Sequence, residues 1–403
     1  MSPSPGDLAR VAAQILEKRS ALLDLAARHP TPFYVFDGEA LREALASFER
    51  AFSAHLPGHQ PFYAVKSNHH PLVVEEAARS GYGLDVSSGR ELRQALAVPG
   101  CPIVFSGPAK SAADLELALE HADRVTVHLD SFRELTRLGA ATDATGRSIQ
   151  AGVRVSTDHH GAWSKFGIPL RDLARFWRAA RAHPGIALQG IQFHLSWNRD
   201  AAPYLRIIED LAQTLARDLT AEERAGVTFI DVGGGYRPHR LEGEFVDGEG
   251  GDHAYTVKAS IPLAEYAQAI GAAVERHLAP LVRARYYTEP GRIVSTYAMH
   301  IVLGVVDRKA DDLVIVDGGI NMVGWERYLH IHCPVVNLTR PAMREIQARL
   351  GGSLCDCEDL WGFHCYGEAL EEGDVLVVPF QGAYTFCVAQ DFIRPIPAVY
   401  ALG

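Results

Sequence analysis

Near its start the chain reads DLARVAAQILEKRSALLDLAAR (7–28), in which apolar residues return every three or four positions with no turn residue inside. That spacing places one apolar stripe on a helix, and the helix ends at His29-Pro30 because the residue before a proline is pushed out of helical conformation. From 29 to about 285 the pattern changes to short apolar runs of β type alternating with amphipathic helical segments. PFYAV precedes HHPLVVEEAARSG, YGLDV precedes SGRELRQALAV, PIVFSG precedes SAADLELALEH, and RVTVHL precedes SFRELTRLGAA. IQAGVRVS, IALQGIQFHLS and GVTFIDVGGG continue the series. Strand–helix alternation implies a parallel sheet, and roughly eight units imply closure into a (β/α)8 barrel, with an open doubly wound sheet as the alternative. After 286 the runs YYTEP, AMHIVLGVVD, LVIVDGG, DVLVVPF and CVAQDFIRPIPAVYAL follow without long helices between them, which reads as an antiparallel β-rich domain. The expected division is a barrel over 29–285 and a β-rich barrel or sandwich over 286–403 joined by helix 1–28. The Gly-rich, acidic stretch 242–255 reads as a surface loop.

At 403 residues the chain exceeds the usual size of one core. Its 47% hydrophobic and 22% charged residues suit an ordered globular protein, and a net charge of −10 offers nucleic acid no basic face. The first residues lack the apolar run of a signal peptide and no stretch is long enough to span a bilayer, so a cytoplasmic protein with no membrane partner is expected. Six cysteines (101, 333, 355, 357, 365, 387) show no repeated CxxC pair and are expected as free thiols. Cys355, Cys357, His364 and Cys365 match no structural zinc spacing, and His69-His70 and His159-His160 lack a third ligand, so no metal is expected.

Three segments carry candidate chemistry. In FYAVKSN (62–68) an apolar strand runs into Lys66, at the end where barrel active sites gather. A lysine there is either a solvated strand end or a partly desolvated amine suited to Schiff-base formation. In FIDVGGGY (229–236) Gly233, Gly234 and Gly235 follow a strand, so several backbone N–H groups can converge on one anion, although a glycine turn alone is a weak signal. In YYTEPGR (286–292) Glu289 and Arg292 flank a Pro-Gly turn; a carboxylate can hold a pyridine nitrogen protonated and an arginine can pair with phosphate, or the two make a surface ion pair.

Together these segments are similar to the fold-type III pyridoxal-phosphate enzymes, the alanine-racemase-like barrels, and among them to the ornithine and diaminopimelate decarboxylases. The resemblance covers nearly the whole chain: YAVKSN, YGLDVSSGREL, VHLDSFREL, SKFGI, a strand ending in His194, DVGGGY, EPGR, VDGGIN, LCDCED and GAYTF occur in family order. It implies that Lys66 carries pyridoxal 5′-phosphate and that His194 lies on its ring. It further implies that Gly233, Gly234, Gly235, Gly291 and Arg292 hold the phosphate near Tyr384, and that Glu289 binds the pyridine nitrogen. Cys355 would serve the active site of the partner in a head-to-tail homodimer, and Asp356 would touch the substrate, an amino acid that loses its α-carboxylate. Asp85 is either a residue preceding a helix or a neighbour of the cofactor, and His194 by itself reads as a satisfied core histidine.

The chain also departs from that pattern. After its histidine the family strand continues Val-Gly-Ser; here Leu195-Ser196-Trp197 follows, so either Ser196 reaches the phosphate instead or nothing replaces that serine, and Trp197 adds bulk near the substrate. NMVGWERYLH (321–330) replaces the Arg-Pro and Tyr of the diaminopimelate enzymes, and Gly318 stands where ornithine enzymes carry Asp. Asp356 is a candidate for a distal ammonium and Arg327 for a distal carboxylate, which points to a modified, diamino or conjugated amino acid. A racemase and a non-catalytic cofactor-binding protein of the same fold are the competing readings. Glu289 speaks against the racemase, since the resemblance implies an arginine at that place in alanine racemases.

Overall fold

A computed structural model describes residues 5–159, 165–239, 243–247, 253–257, 260–324 and 334–403. The chain divides into two units, one of 45–237 with 261–293 and one of 1–44, 238–260 and 294–403.

The first unit is built on eight strands: β1 (Gln60–Ala64), β2 (Gly83–Val86), β3 (Ile103–Phe105), β4 (Val125–Leu129), β5 (Ile149–Ser156), β6 (Ile186–Gln192), β7 (Phe229–Asp231) and β8 (Arg285–Thr288). Each pairs in parallel with its sequence neighbour, and β8 pairs with β1, so the sheet closes and the open-sheet alternative falls. These strands are short and buried on both faces, which is why they read as continuous apolar runs rather than alternating ones. Phe62, Val104, Phe229 and Tyr287 fill the inside, with the Phe229 and Tyr287 rings stacked at 4.8 Å. Helices start on side-chain caps: Ser88 before Gly89–Leu96, and Ser111 with Asp114 in a reciprocal capping box before Ala112–Glu120.

The second unit holds a mixed eight-stranded sheet. Met299–Ala310 pairs with both Leu313–Val316 and Val375–Val378, closing a ring that includes Glu345–Gly351, Leu360–Tyr366 and Val335–Asn337. Phe33–Phe36 pairs antiparallel with Met299–Ala310 and parallel with Val399–Ala401. The N-terminal stretch forms two helices, Pro5–Glu17 and Arg19–Arg28, and Ala12, Ile15, Leu22 and Leu25 pack on Phe33, Val35, Val302 and Val336.

Several expectations change. The barrel does not begin at 29, because Phe33–Phe36 finds its partner at Met299–Ala310, and it does not end at 285, because Arg285–Thr288 supplies β8. The β-rich unit is mixed rather than antiparallel, with parallel pairs such as Leu313–Val316 on Glu345–Gly351. The acidic stretch at 242–255 contains a hairpin, Gly243–Asp247 against His253–Val257, instead of a plain loop.

Candidate active site

Polar side chains gather where the barrel strands end at their C-terminal side. Lys66 lies in the turn Val65–Ser67 directly after β1. The register sets Ala64 opposite Asp85, so a lysine two residues further on reaches the neighbouring strand, and its Nζ donates to Asp85 Oδ2 at 2.6 Å. Asp85 is fully buried, whereas the Lys66 side chain keeps 31% exposure: the carboxylate is fixed and the amine stays accessible. The second Asp85 oxygen accepts from Ser106 Oγ. Burial, reinforced by the charge of Glu289, pushes the Asp85 carboxyl above its ordinary value, with Lys66 working against that shift. Asp85 therefore faces the lysine, while the cap of the next helix is Ser88.

Glu289 follows β8 and is buried; its Oε1 accepts from Gln192 Nε2 at 3.0 Å and its Oε2 lies 2.9 Å from His194 Nδ1. Burial would raise its pKa, but the His194 contact and nearby positive charge outweigh burial and hold the carboxyl well below the usual range. Glu289 is thus a buried, charged carboxylate. Asp231, at the end of β7, shifts the other way: burial and the charge of Glu289 push it well above its ordinary value, while one oxygen accepts from the Gly233 N–H at 2.8 Å. Burial also drops His128 to about 4 and lowers His194, so both rings are neutral near pH 7. His194 Nε2 lies 3.2 Å from Ser196 Oγ, and the Gly234 N–H is directed at His194 Nδ1.

The three glycines are required by space as well as by conformation. Gly233 and Gly235 sit at φ +71° and +91°. A Cβ on Gly234 would come within 2.1 Å of the Glu289 carbonyl oxygen, and one on Gly235 within 1.8 Å of the Leu195 oxygen. Only bare backbone fits there, because the loop packs against carbonyl oxygens of the neighbouring backbone. Gly291 and Arg292 follow Glu289, and the Arg292 guanidinium lies 4.8 Å from the centre of the Trp197 ring.

Cys355, Asp356 and Tyr384 belong to the β-rich unit. Cys355 is exposed on the turn between Glu345–Gly351 and Leu360–Tyr366, where Asp356 Oδ1 accepts from the Glu358 N–H at 2.9 Å. Tyr384 is half-buried with φ +54°. Arg327 lies outside the described residues, as do Cys333 and His160. His70 caps the helix Pro71–Arg79, and His159 lies 3.2 Å from Asp210. Among the described residues, one group has three ligand atoms close enough to share a metal: His128, Asp231 and Glu289, within 4.8 Å of one another. It contains none of the paired histidines or cysteines.

Ser106, Gln192, Asp231, Arg154 and Asp359 escaped the sequence reading. Gln192, Asp231 and Arg154 had a signal, a polar residue inside or ending an otherwise apolar barrel strand, and all three are buried. Asp359 had none; it is buried and accepts from the Ile320 and Leu354 N–H groups, both at 2.7 Å, which ties VDGGIN to LCDCED.

The barrel site fits a pyridoxal cofactor: an accessible amine on a fixed carboxylate, a second carboxylate kept charged, and a glycine loop after β7 that carries no side chain. Comparison with known proteins agrees. The diaminopimelate decarboxylase of Methanothermobacter thermautotrophicus is 29% identical over 93% of this chain and 87% of its own. An uncharacterized protein of Sinorhizobium fredii is 28% identical over 99% of this chain and 93% of its own. The structure of Helicobacter pylori diaminopimelate decarboxylase complexed with L-lysine superimposes with a TM-score of 0.78 at 25% identity, covering 95% of this chain and 94% of that one. A family profile described as the pyridoxal binding domain of pyridoxal-dependent decarboxylases matches residues 41–296. With that match spanning more than half of its length, the chain belongs to the pyridoxal-dependent decarboxylase family.

Proposed function

We propose that this decarboxylase removes the α-carboxylate of a modified, diamino or conjugated amino acid in a biosynthetic pathway of siderophore, antibiotic, polyamine or lysine type. The observation that carries the chemistry is Glu289, a buried carboxylate held charged across the strand ends from the Lys66–Asp85 pair. When bound, pyridoxal phosphate supplies the electron sink for the pair left behind as carbon dioxide departs. Lys66 would hold the cofactor covalently, with Asp85 keeping the lysine in place. Glu289 keeps a proton on the pyridine nitrogen, which strengthens the sink, and neutral His194 supports the ring. Gly233, Gly234, Gly235, Gly291, Arg292 and Tyr384 are assigned to the phosphate, and Ser196 to the cofactor site through its contact with His194. Cys355 returns a proton to Cα. Asp356, Arg327 and Trp197 recognise the remainder of the substrate. The exposure of Cys355 on its own chain supports a head-to-tail homodimer in which LCDCED completes the site of the partner.

Diaminopimelate is the substrate named for the Methanothermobacter relative. This chain differs where such an enzyme holds the distal carboxylate, with NMVGWERYLH at 321–330, and where the ornithine enzymes carry Asp, with Gly318, which favours a different side chain on the substrate. A panel of L- and D-amino acids, diamino acids and their conjugates, assayed for carbon dioxide release, tests both levels. Release from one modified, diamino or conjugated class is expected. Fastest turnover of an unmodified monoamino acid overturns the substrate reading, fastest turnover of diaminopimelate overturns the weight given to 321–330, and racemisation without carbon dioxide overturns the decarboxylase.

A further inference from the structure

Trp197 stands where the related enzymes carry a small residue, and its backbone is the departure that matters. It adopts φ +63°, a region that a bulky side chain enters only when its surroundings dictate it, yet the indole remains 39% exposed. What surrounds it is charge. The Arg292 guanidinium carbon lies 4.8 Å from the ring centre and that of Arg237 lies 5.1 Å from it, so one indole holds two cations. The two guanidinium groups are therefore no further apart than the sum of those distances, and an anion beside the ring would be attracted by both.

The fold explains how they meet. Asn198 bridges to Tyr236 in parallel, and its N–H donates to the Gly235 carbonyl at 3.1 Å, so Trp197 and Arg237 are carried on adjoining backbone. Arg237 is two residues beyond the glycine cradle and only 4% exposed. The other candidate to stand in for the family serine, Ser196, has its hydroxyl 3.2 Å from His194 Nε2 and so faces the imidazole.

We propose that Arg237, held with Arg292 against the Trp197 ring, is a second cationic ligand of the cofactor phosphate and does the work that the serine does in related enzymes. This rests on the assignment of Arg292 and the glycine loop to that phosphate. An arginine suits the task because its planar fork binds phosphate oxygens in pairs while its face stays on the aromatic ring.

The test compares pyridoxal 5′-phosphate with pyridoxal, which lacks the phosphate, by absorbance titration of the cofactor-free protein. Arg237→Gln is expected to weaken binding of the phosphorylated form on the order of tenfold to a hundredfold, as removal of a charge-assisted hydrogen bond does, and to leave pyridoxal binding unchanged. Arg237→Lys, which keeps the charge and guards against misfolding of the first variant, should show the same selectivity with a smaller loss. Trp197→Phe should bind nearly as wild type and Trp197→Ala more weakly, again only for the phosphorylated form. Equal loss for both ligands, or no loss for either, overturns the role of Arg237. A wild-type protein that fails to prefer the phosphorylated form overturns the phosphate assignment itself, and this inference with it.

Discussion

The barrel site and the LCDCED turn each carry a side chain proposed to act in the reaction, Lys66 and Cys355, and the two regions hold theirs in opposite ways. Around Lys66 the partners are buried and cross-linked: Asp85 is tied to Ser106, and Glu289 to Gln192 and His194. Around Cys355 the chain is exposed, and Asp356 accepts the N–H of Glu358 at its side chain and that of Asp359 at its carbonyl. The turn gains its rigidity from below, through buried Asp359. A charge that must act on developing charge is most effective when fixed in a dry, preorganised setting. A side chain that must reach something outside its own chain has to stay at the surface, and only its support can be buried.

Breaking the barrel side should have the largest effect. Lys66→Ala is expected to abolish both turnover and the borohydride-fixed adduct, read by peptide mapping; an adduct at another lysine refutes the assignment. Glu289→Gln should keep the cofactor but lose about 10²-fold or more in turnover, because a neutral amide cannot hold the pyridinium proton. Near-normal rates in that variant would remove the reason for burying a charge there.

The turn side is probed by mixing. If Cys355 acts in the site of the partner, Cys355→Ala and Lys66→Ala are each impaired alone, yet together they regenerate one intact site in each mixed dimer. Random exchange then gives roughly a quarter of wild-type activity per subunit. With exchange of tagged subunits shown, activity that stays at the level of the parents refutes the shared site. Asp359→Ala should cost about 2–5 kcal/mol in urea unfolding, since two buried N–H groups lose their acceptor. Cofactor attachment at Lys66 should persist in that variant at low temperature.

The smallest effect concerns His128, whose two ring nitrogens have no hydrogen-bond partner among the described residues. Its pKa falls from 6.5 to about 4 on folding, so the unfolded chain binds the extra proton. Its contribution is intact above about pH 6.5 and is lost as pH falls toward 4, amounting to at most about 3 kcal/mol. His128→Leu should flatten the loss of stability across that interval, measured by denaturant midpoints at both ends.

The alternation of apolar runs and amphipathic helices determined a parallel strand–helix unit by itself, because period and length are local properties that each segment carries in its own residues, whereas closure into a barrel was decided by the pairing of β8 with β1. The order of Lys66, the three glycines and Glu289-Pro-Gly-Arg, with the other motifs of the family resemblance, implied a cofactor site before any contact was known. Membership of the strands was another matter. Phe33–Phe36 and Arg285–Thr288 are four-residue runs, too short for their pattern to name a neighbour, and pairing alone sent the first to the β-rich unit and the second into the barrel. The charge states were equally beyond the sequence. Asp85, Asp231 and Glu289 are three carboxyls near strand ends, yet burial and mutual repulsion raise the first two while His194 and nearby positive charge keep Glu289 ionised. Electrostatic free energy depends on distance and on exclusion of water, and both exist only once the strands have closed.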